Sequence, residues 1–344
     1  MDVDINSISV TKTYPNGDIY SGVLINDLKE IKGTLTRNKN QDFQTSLKTA
    51  QQNKNIIFFC ASQNASEKKF PDNKINNRQI FYYEGDTYDG EFQNDLFNGK
   101  GVMTWKNGNK YEGEFKDNFF NGKGKLTFSS GSNYEGDFLE GMQTGYGIFS
   151  YVNGDKYEGE WKNGLKNGNG TYSYHNGDKY SGSWENDLKN GRGICSYKNG
   201  DKYDGEWKNN MKNGGGIYKY NNGDKYNGNW VNDQKEGKGV YEYQNGDCYQ
   251  GDWKKDKHEG YGVFNFSNGD KYEGEWKNNK REGEGKFFSG NSRYEGEYKN
   301  DVKDGKGSIF YDNGNIYDGY FQGDQKIKGL GALYDAFYNM ILDN

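Results

Sequence analysis

From Tyr88 onward the chain alternates between apolar and polar positions, and the alternation itself repeats. In the stretch YEGEWKNGLKNGNGTYSYHNGDK, from Tyr157 to Lys179, the positions Tyr157, Gly159 and Trp161 are separated by Glu158 and Glu160. A period of two places the rings on one face of a strand and the carboxylates on the other. The polar run Lys162 to Gly168 reads as a loop. Gly170, Tyr172 and Tyr174 then alternate with Thr171 and Ser173, which predicts a second strand. Asn176-Gly177 predicts a hairpin turn, because both residues tolerate positive φ. Each unit is therefore two antiparallel strands, and each Asn-Gly joins one unit to the next.

The units keep a fixed step. Tyr88, Tyr111, Tyr134, Tyr157, Tyr180, Tyr203, Tyr226, Tyr249 and Tyr272 follow one another at intervals of 23 residues. A period in this range means a repeat architecture in which neighbours share one core. The fourth residue after each opening tyrosine is aromatic, as in Phe92, Phe115 and Phe138, then Trp161, Trp184, Trp207, Trp230, Trp253 and Trp276. A Gly-x-Gly pair, such as Gly168 and Gly170, recurs in ten successive units. Glycine weakens a strand unless something must approach its backbone closely, and a neighbouring aromatic ring supplies that reason. The pattern predicts aromatic columns running across one face of a long sheet.

The ends depart from this regularity. Residues 1–19 read as a half-repeat or cap. Residues 20–87 read as degenerate repeats: Tyr20 opens a unit with Gly33 and Leu35 in register, and Phe43 and Ser66 follow at the same step. A loop excursion is the alternative for 43–87. The regular array covers 88–331. Tyr294 follows Tyr272 by 22 residues, and a deletion within a strand would swap its faces, so the missing residue belongs in the turn. In 332–344, Leu333, Phe337, Met340 and Ile341 recur at the three- to four-residue spacing of a short amphipathic helix. That helix would either cap the open sheet edge or dock a partner.

Composition narrows the class. Aromatics make up 17% of the chain and Pro only 2 residues, which excludes a disordered or proline-rich chain. Aliphatic residues are few, so tyrosines must build the core. The net charge of −5 argues against nucleic acid held through its phosphates. Three distant cysteines, Cys60, Cys195 and Cys248, give no disulfide framework and fit a reducing compartment. No signal peptide and no long apolar run is found, so a cytoplasmic location is expected.

The pattern Tyr-x-Gly-Glu-Trp-x-x-Gly-x-x-x-Gly-x-Gly at Tyr157–Gly170 resembles the MORN repeat (membrane occupation and recognition nexus). The resemblance implies an all-β fold, an elongated single-layer antiparallel sheet of tandem hairpins.

No constellation for catalysis emerges, and no cofactor or metal is expected. His175 and His258 fall in or near turns and read as solvated. The Gly-x-Gly pairs do not precede a helix, so they are not a phosphate cradle. Glutamates such as Glu114, Glu160 and Glu206 form either a cation column or the wet face of the sheet. Chains filled by such repeats look like the radial spoke head components of motile cilia. That likeness implies a scaffold binding other protein subunits, among them another MORN protein, in the cytoskeleton of the ciliary axoneme. The candidate partner-binding residues are Trp161, Trp184, Trp207, Trp230, Trp253, Trp276, Leu333, Phe337, Met340 and Ile341; for the tryptophans the alternative is that they are simply core. MORN repeats also resemble modules that bind phosphoinositides. The lysines Lys156, Lys179 and Lys202 would then be the contacts, although Asp155, Asp178 and Asp201 beside them cancel the local field.

Overall fold

The computed structural model describes residues 7–13, 19–25, 30–36, 78–83, 85–94, 96–337 and 339–341. Backbone contacts divide the chain into two units, Met1–Pro71 and Asp72–Asn344. In the first, strands Ser7–Thr13, Ile19–Ile25 and Glu30–Thr36 pair antiparallel in sequence order. Tyr20 lies opposite Leu35 and Gly22 opposite Gly33. Phe43 and Ser66, expected to open degenerate repeats, lie outside the described residues.

The second unit is one antiparallel sheet from Arg78–Tyr83 to Met340–Ile341 in which each strand pairs with its neighbours in sequence. Among the described residues no pairing joins the first strand to the last, so the sheet is open. One repeat shows the grammar of all. Strands Lys156–Lys162 and Leu165–Ser173 bring Tyr157 opposite Tyr172, Gly159 opposite Gly170 and Trp161 opposite Lys166. The next strand, Lys179–Glu185, brings Trp184 opposite Gly168 and Tyr180 opposite Tyr172.

Two turn assignments differ from the sequence reading. The run Lys162 to Gly168 is mostly strand. Asn163 and Gly164, at φ 51° and 78°, form a two-residue turn between the paired Lys162 and Leu165. Left-handed φ at both central residues is the type I′ geometry, which matches strand twist. At Asn176-Gly177 only the glycine is left-handed, at φ 97°. Gly177 N–H donates to the Tyr174 carbonyl (3.0 Å) and Tyr174 N–H to the Asp178 carbonyl (2.9 Å). The loop therefore has three residues, a type I turn closed by glycine at the left-handed position. Asn176 stays right-handed because its Oδ1 accepts the Asp178 N–H at 2.9 Å.

The tyrosine that opens each unit explains the glycines. Tyr157 is fully buried. Its ring lies along the notch left by Gly159 and Gly170, and its hydroxyl donates to the Glu160 carbonyl (3.0 Å). A Cβ on Gly170 would stand 2.5 Å from Tyr157 Cζ. Gly168 serves a different purpose: at φ 75° it forms a bulge between the Gly159 and Trp161 pairings.

The short repeat confirms where a deletion is tolerated. Ser289 pairs with Ser292, so Gly290-Asn291 replaces the three-residue turn and both strands keep their faces. The tail corrects an expectation, since its described residues form strand and turn and no helix. Leu333 lies in strand Gln325–Tyr334 opposite Tyr317, and Ile341 pairs back with Leu333. The turn between them shares one bond with the inter-repeat turns, Asp335 N–H to the Asn339 carbonyl, and differs in that Asp335 Oδ1 accepts the Phe337 and Asn339 amides at 2.8 Å. The helical spacing was coincidence, because Leu333 occupies a ladder position inherited from the repeat.

Replacing Gly170 and Gly269 by alanine separates the two kinds of glycine. Gly170→Ala drives a methyl into the Tyr157 ring and should cost about 1–3 kcal/mol or more, as overpacking does. Gly269→Ala meets nothing within 4 Å and bears only the left-handed backbone cost of about 1–2 kcal/mol. Denaturant unfolding of the two variants checks the order. Equal losses, or a larger loss at Gly269, would refute the ring-in-notch account.

Candidate interaction surface

The sheet face that carries the tyrosines holds two aromatic columns. In the inner one, Tyr157 lies between Trp161 (centroids 5.2 Å, 87° between planes) and Trp184 of the next repeat (5.3 Å, 82°). Such edge-to-face pairs place positive ring edges on negative faces. The arrangement recurs at Tyr180, Tyr203, Tyr226 and Tyr249, so the structure unites Trp161 through Trp276 in one column. All six tryptophans are buried. Their indole N–H groups are also occupied: Trp207 Nε1 donates to the Gly193 carbonyl (3.0 Å), and the other five bond the equivalent glycine. Of the tail residues, Phe337, Met340 and Ile341 are exposed beyond the last full repeat and Leu333 is half-buried.

Sequence reading missed a cation in this column. Lys166 Nζ stands over the rings of Tyr157, Tyr172 and Trp184 at 5.7, 5.3 and 5.2 Å. Lys189, Lys212 and Lys235 repeat the contact. Burial lowers the pKa of Lys166, Lys212 and Lys235, and Asp187, Asp233 and Asp256 respectively oppose that shift. The attraction of ammonium for ring faces and these carboxylates offsets part of the desolvation. The signal was visible: lysine recurs nine residues after four successive opening tyrosines. Two early repeats use a ring instead, with Phe97 stacked on Tyr88 and Phe120 on Tyr111 at 3.9 and 3.7 Å.

His258 takes this same position, which corrects its reading as a solvated turn residue. It is 6% exposed, stacked on Tyr249 at 3.6 Å and edge-on to Trp253 and Trp276. Its Nδ1 has no hydrogen-bond partner. Burial, and then Lys235, hold its pKa down at about 4. His175 does lie in a turn, where its Nδ1 is 2.9 Å from Asp155 Oδ1.

The outer column is half-buried and so remains open to contact. Tyr151, Tyr174, Tyr197, Tyr220 and Tyr243 form it, each just before an inter-repeat turn. They interleave with inner rings: Tyr218 to Tyr220 is 4.5 Å, Tyr220 to Tyr241 5.7 Å and Tyr241 to Tyr243 4.5 Å. The result is a ladder of phenol rings along the same face.

Carboxylates that looked like surface charge hold the backbone. Glu160 Oε1 accepts the Asn169 amide (3.0 Å) inside the bulge, and Glu297 does the same for Lys306 (3.0 Å). Asp201 Oδ1 accepts the Asn221 amide (2.7 Å) and its Oδ2 the Tyr218 hydroxyl (2.8 Å), tying one turn to the next. At the opposite rim Asp233 Oδ1 accepts the Lys212 amide (2.9 Å). Among the described residues no group of three or more His, Cys, Asp or Glu is arranged to hold a metal ion.

These placements set two windows of acid sensitivity. His258 has a folded pKa depressed from 6.5 to about 4, so between those values the unfolded chain binds the extra proton and stability falls as pH falls. At Asp155 burial acts upward, but hydrogen bonds from His175, Tyr172 and Asn153 hold the carboxyl at about 2. Its contribution is complete above the ordinary value of 3.8 and is lost as pH drops toward 2. His258→Lys should abolish the upper window and leave the lower one, as read by thermal melts across pH 3–8. An unchanged pH profile in the variant would contradict the buried, neutral His258.

The MORN repeat model matches residues 88–110, 111–133, 134–156, 157–179, 180–202, 203–225, 226–248, 249–271, 272–292 and 294–316. Comparison with the curated proteins finds no match. Among solved structures the chain is similar to the TCP domain of SAS-4 from Drosophila melanogaster, in complex with a proline-rich motif of Ana2. That match has 16% identity and a TM-score of 0.29 over 50% of this chain and 86% of that one. The TCP10 domain of CPAP from Danio rerio matches at 13% identity and a TM-score of 0.20, over 71% of this chain and 98% of that one. Streptogramin B lyase matches at 13% identity and a TM-score of 0.14, over 76% and 92%. At these TM-scores the structural likenesses carry no argument. The ten consecutive repeats do, and the chain belongs to the MORN repeat family.

Proposed function

We propose that this chain is a non-catalytic scaffold that binds other protein subunits in a large cytoskeletal assembly, with the ciliary axoneme and its radial spoke heads as the setting. The outer tyrosine ladder carries the reading. Tyr151, Tyr174, Tyr197, Tyr220 and Tyr243 offer half-exposed rings in five successive repeats, and Tyr172, Tyr218 and Tyr241 link them to the buried tryptophan column. Rigid aromatic rings that lose little freedom on contact make strong anchors for a protein partner. The exposed tail residues Phe337, Met340 and Ile341 extend the contact at the last hairpin. The tryptophans act through Tyr172, Tyr218 and Tyr241, the rings that join them to the ladder.

A lipid-binding adaptor is the second reading, and the ion pairs disfavour it. Of the lysines that headgroup phosphates would need, Lys156 is paired with Glu158 at 2.9 Å, as Lys110 and Lys271 are with Glu112 and Glu273 at 3.1 and 2.7 Å, which leaves Lys179 and Lys202 to meet a headgroup. No helix among the described residues is long and apolar enough to cross a membrane.

Detergent extraction of ciliated cells, with this chain followed by mass spectrometry, tests the proposal. It should remain with the demembranated axoneme and leave only in high salt. Release with the membrane lipids would replace the scaffold reading with the lipid one.

A further inference from the structure

The three-residue turns carry a chemistry that the fold does not use. Among the described residues eight of them place asparagine directly before glycine, from Asn107-Gly108 to Asn313-Gly314. Such a pair can react with itself. The glycine nitrogen loses its proton and attacks the asparagine Cγ, an N–Cγ bond forms, and the Cγ–Nδ2 bond breaks. Nδ2 leaves with the proton as ammonia. Water then opens the five-membered imide at either carbonyl, which leaves aspartate or isoaspartate. Glycine favours the attack because no side chain shields its nitrogen.

The eight turns share one backbone. Their glycines lie between φ 85° and 97°, and each glycine N–H donates to the carbonyl three residues before it at 2.8–3.1 Å. In all eight the asparagine is exposed, so access of water does not separate them. Its Oδ1 accepts the amide two residues on at 2.9–3.0 Å throughout. The difference lies at Nδ2. In Asn153, Asn176, Asn199, Asn222, Asn245 and Asn268 it donates to the carboxylate of the aspartate two residues on, at 2.9–3.1 Å. In the first and last turns of the series Asn109 and Asn315 replace that aspartate. Among the described residues Nδ2 of Asn107 and of Asn313 has no hydrogen-bond partner. Swinging Cγ toward the glycine nitrogen therefore breaks one side-chain bond at Asn107 and two at Asn245. The negative charge that grows on Oδ1 during attack is also opposed by the Asp247 carboxylate beside Asn245, whereas Asn109 is neutral.

We propose that Asn107 and Asn313 are deamidation sites, which convert to aspartate and isoaspartate in the folded chain while the six clamped turns stay intact. Isoaspartate adds one backbone atom to a loop closed by the Gly108 N–H to Trp105 carbonyl bond. It therefore loosens the hairpin between strands Leu96–Thr104 and Lys110–Lys116.

The test incubates the full folded chain in mildly alkaline buffer and follows each turn by peptide mass spectrometry. Asn107 and Asn313 should react about ten-fold faster than Asn176 or Asn245, the rate equivalent of one charge-assisted hydrogen bond. Two reciprocal variants move the clamp. Asn109→Asp supplies the carboxylate and should slow Asn107, and Asp247→Asn removes it and should speed Asn245, each by about ten-fold. The exchange keeps the neighbouring bond: Asn109 Oδ1 accepts the Ser129 amide at 2.8 Å, and Asp247 Oδ1 accepts the Ser267 amide at 2.7 Å. In urea the eight sites should converge, since the clamp exists only in the folded chain. Equal rates in the folded chain, variants that leave the rates unmoved, or a difference that survives in urea would overturn the proposal.

Discussion

Everything in the array depends on one contact, a tyrosine ring laid across two facing glycines. A single-layer sheet has no second layer against which to bury its apolar side. Here the layer is made from the side chains themselves. Tyr157 lies flat enough to cover Gly159 and Gly170, and its hydroxyl reaches a carbonyl further along its own strand. Because the ring is folded onto the backbone, the next tryptophan can close over it edge-on, and the next tyrosine over that. Register follows from the same contact: Gly159 must face Gly170, since a side chain on either would displace the ring.

How far this was legible depended on whether the physical constraint was local. The aromatic alternation, the 23-residue step and the paired glycines are all short-range features, and they predicted strands, hairpins and close ring approach at Tyr157–Tyr174. The errors arose where a residue's partner lies one repeat away. Asp201 reads as surface charge beside Lys202, yet it accepts bonds from Asn221 and Tyr218. His258 reads as a turn residue until Trp276 is seen closing over it. Leu333 and Phe337 show helical spacing, but Leu333 is claimed by its pairing with Tyr317. Sequence periodicity registers which residues recur and is silent on what they touch across the repeat boundary.

The polar groups complete what the rings begin. Turns are bonded to the ones before them through a carboxylate, an amide or a hydroxyl, as in Asp155 to His175, Asn109 to Ser129 and Ser132 to Val152. Bulge amides find glutamates rather than water, as Asn169 finds Glu160. Stability in such an array is a sum of repeat terms and nearest-neighbour terms. Both are strong here, because rings and turns bridge the same boundary. Damage to one repeat therefore spreads to its immediate neighbours through the column and both rims.

That division of labour decides where function can be written. Positions that touch the ring stack are fixed by packing: the opening tyrosine, the paired glycines and the aromatic that follows them. The position nine residues on tolerates Lys166, Phe120 or His258, because a cation and a ring each satisfy the tyrosine face. Residues flanking the two-residue turns have no such duty: Lys116 faces Phe119, Lys208 faces Met211 and Lys254 faces Lys257 around turns of the same backbone. A scaffold with a constant frame and a free rim can change partners without changing its fold.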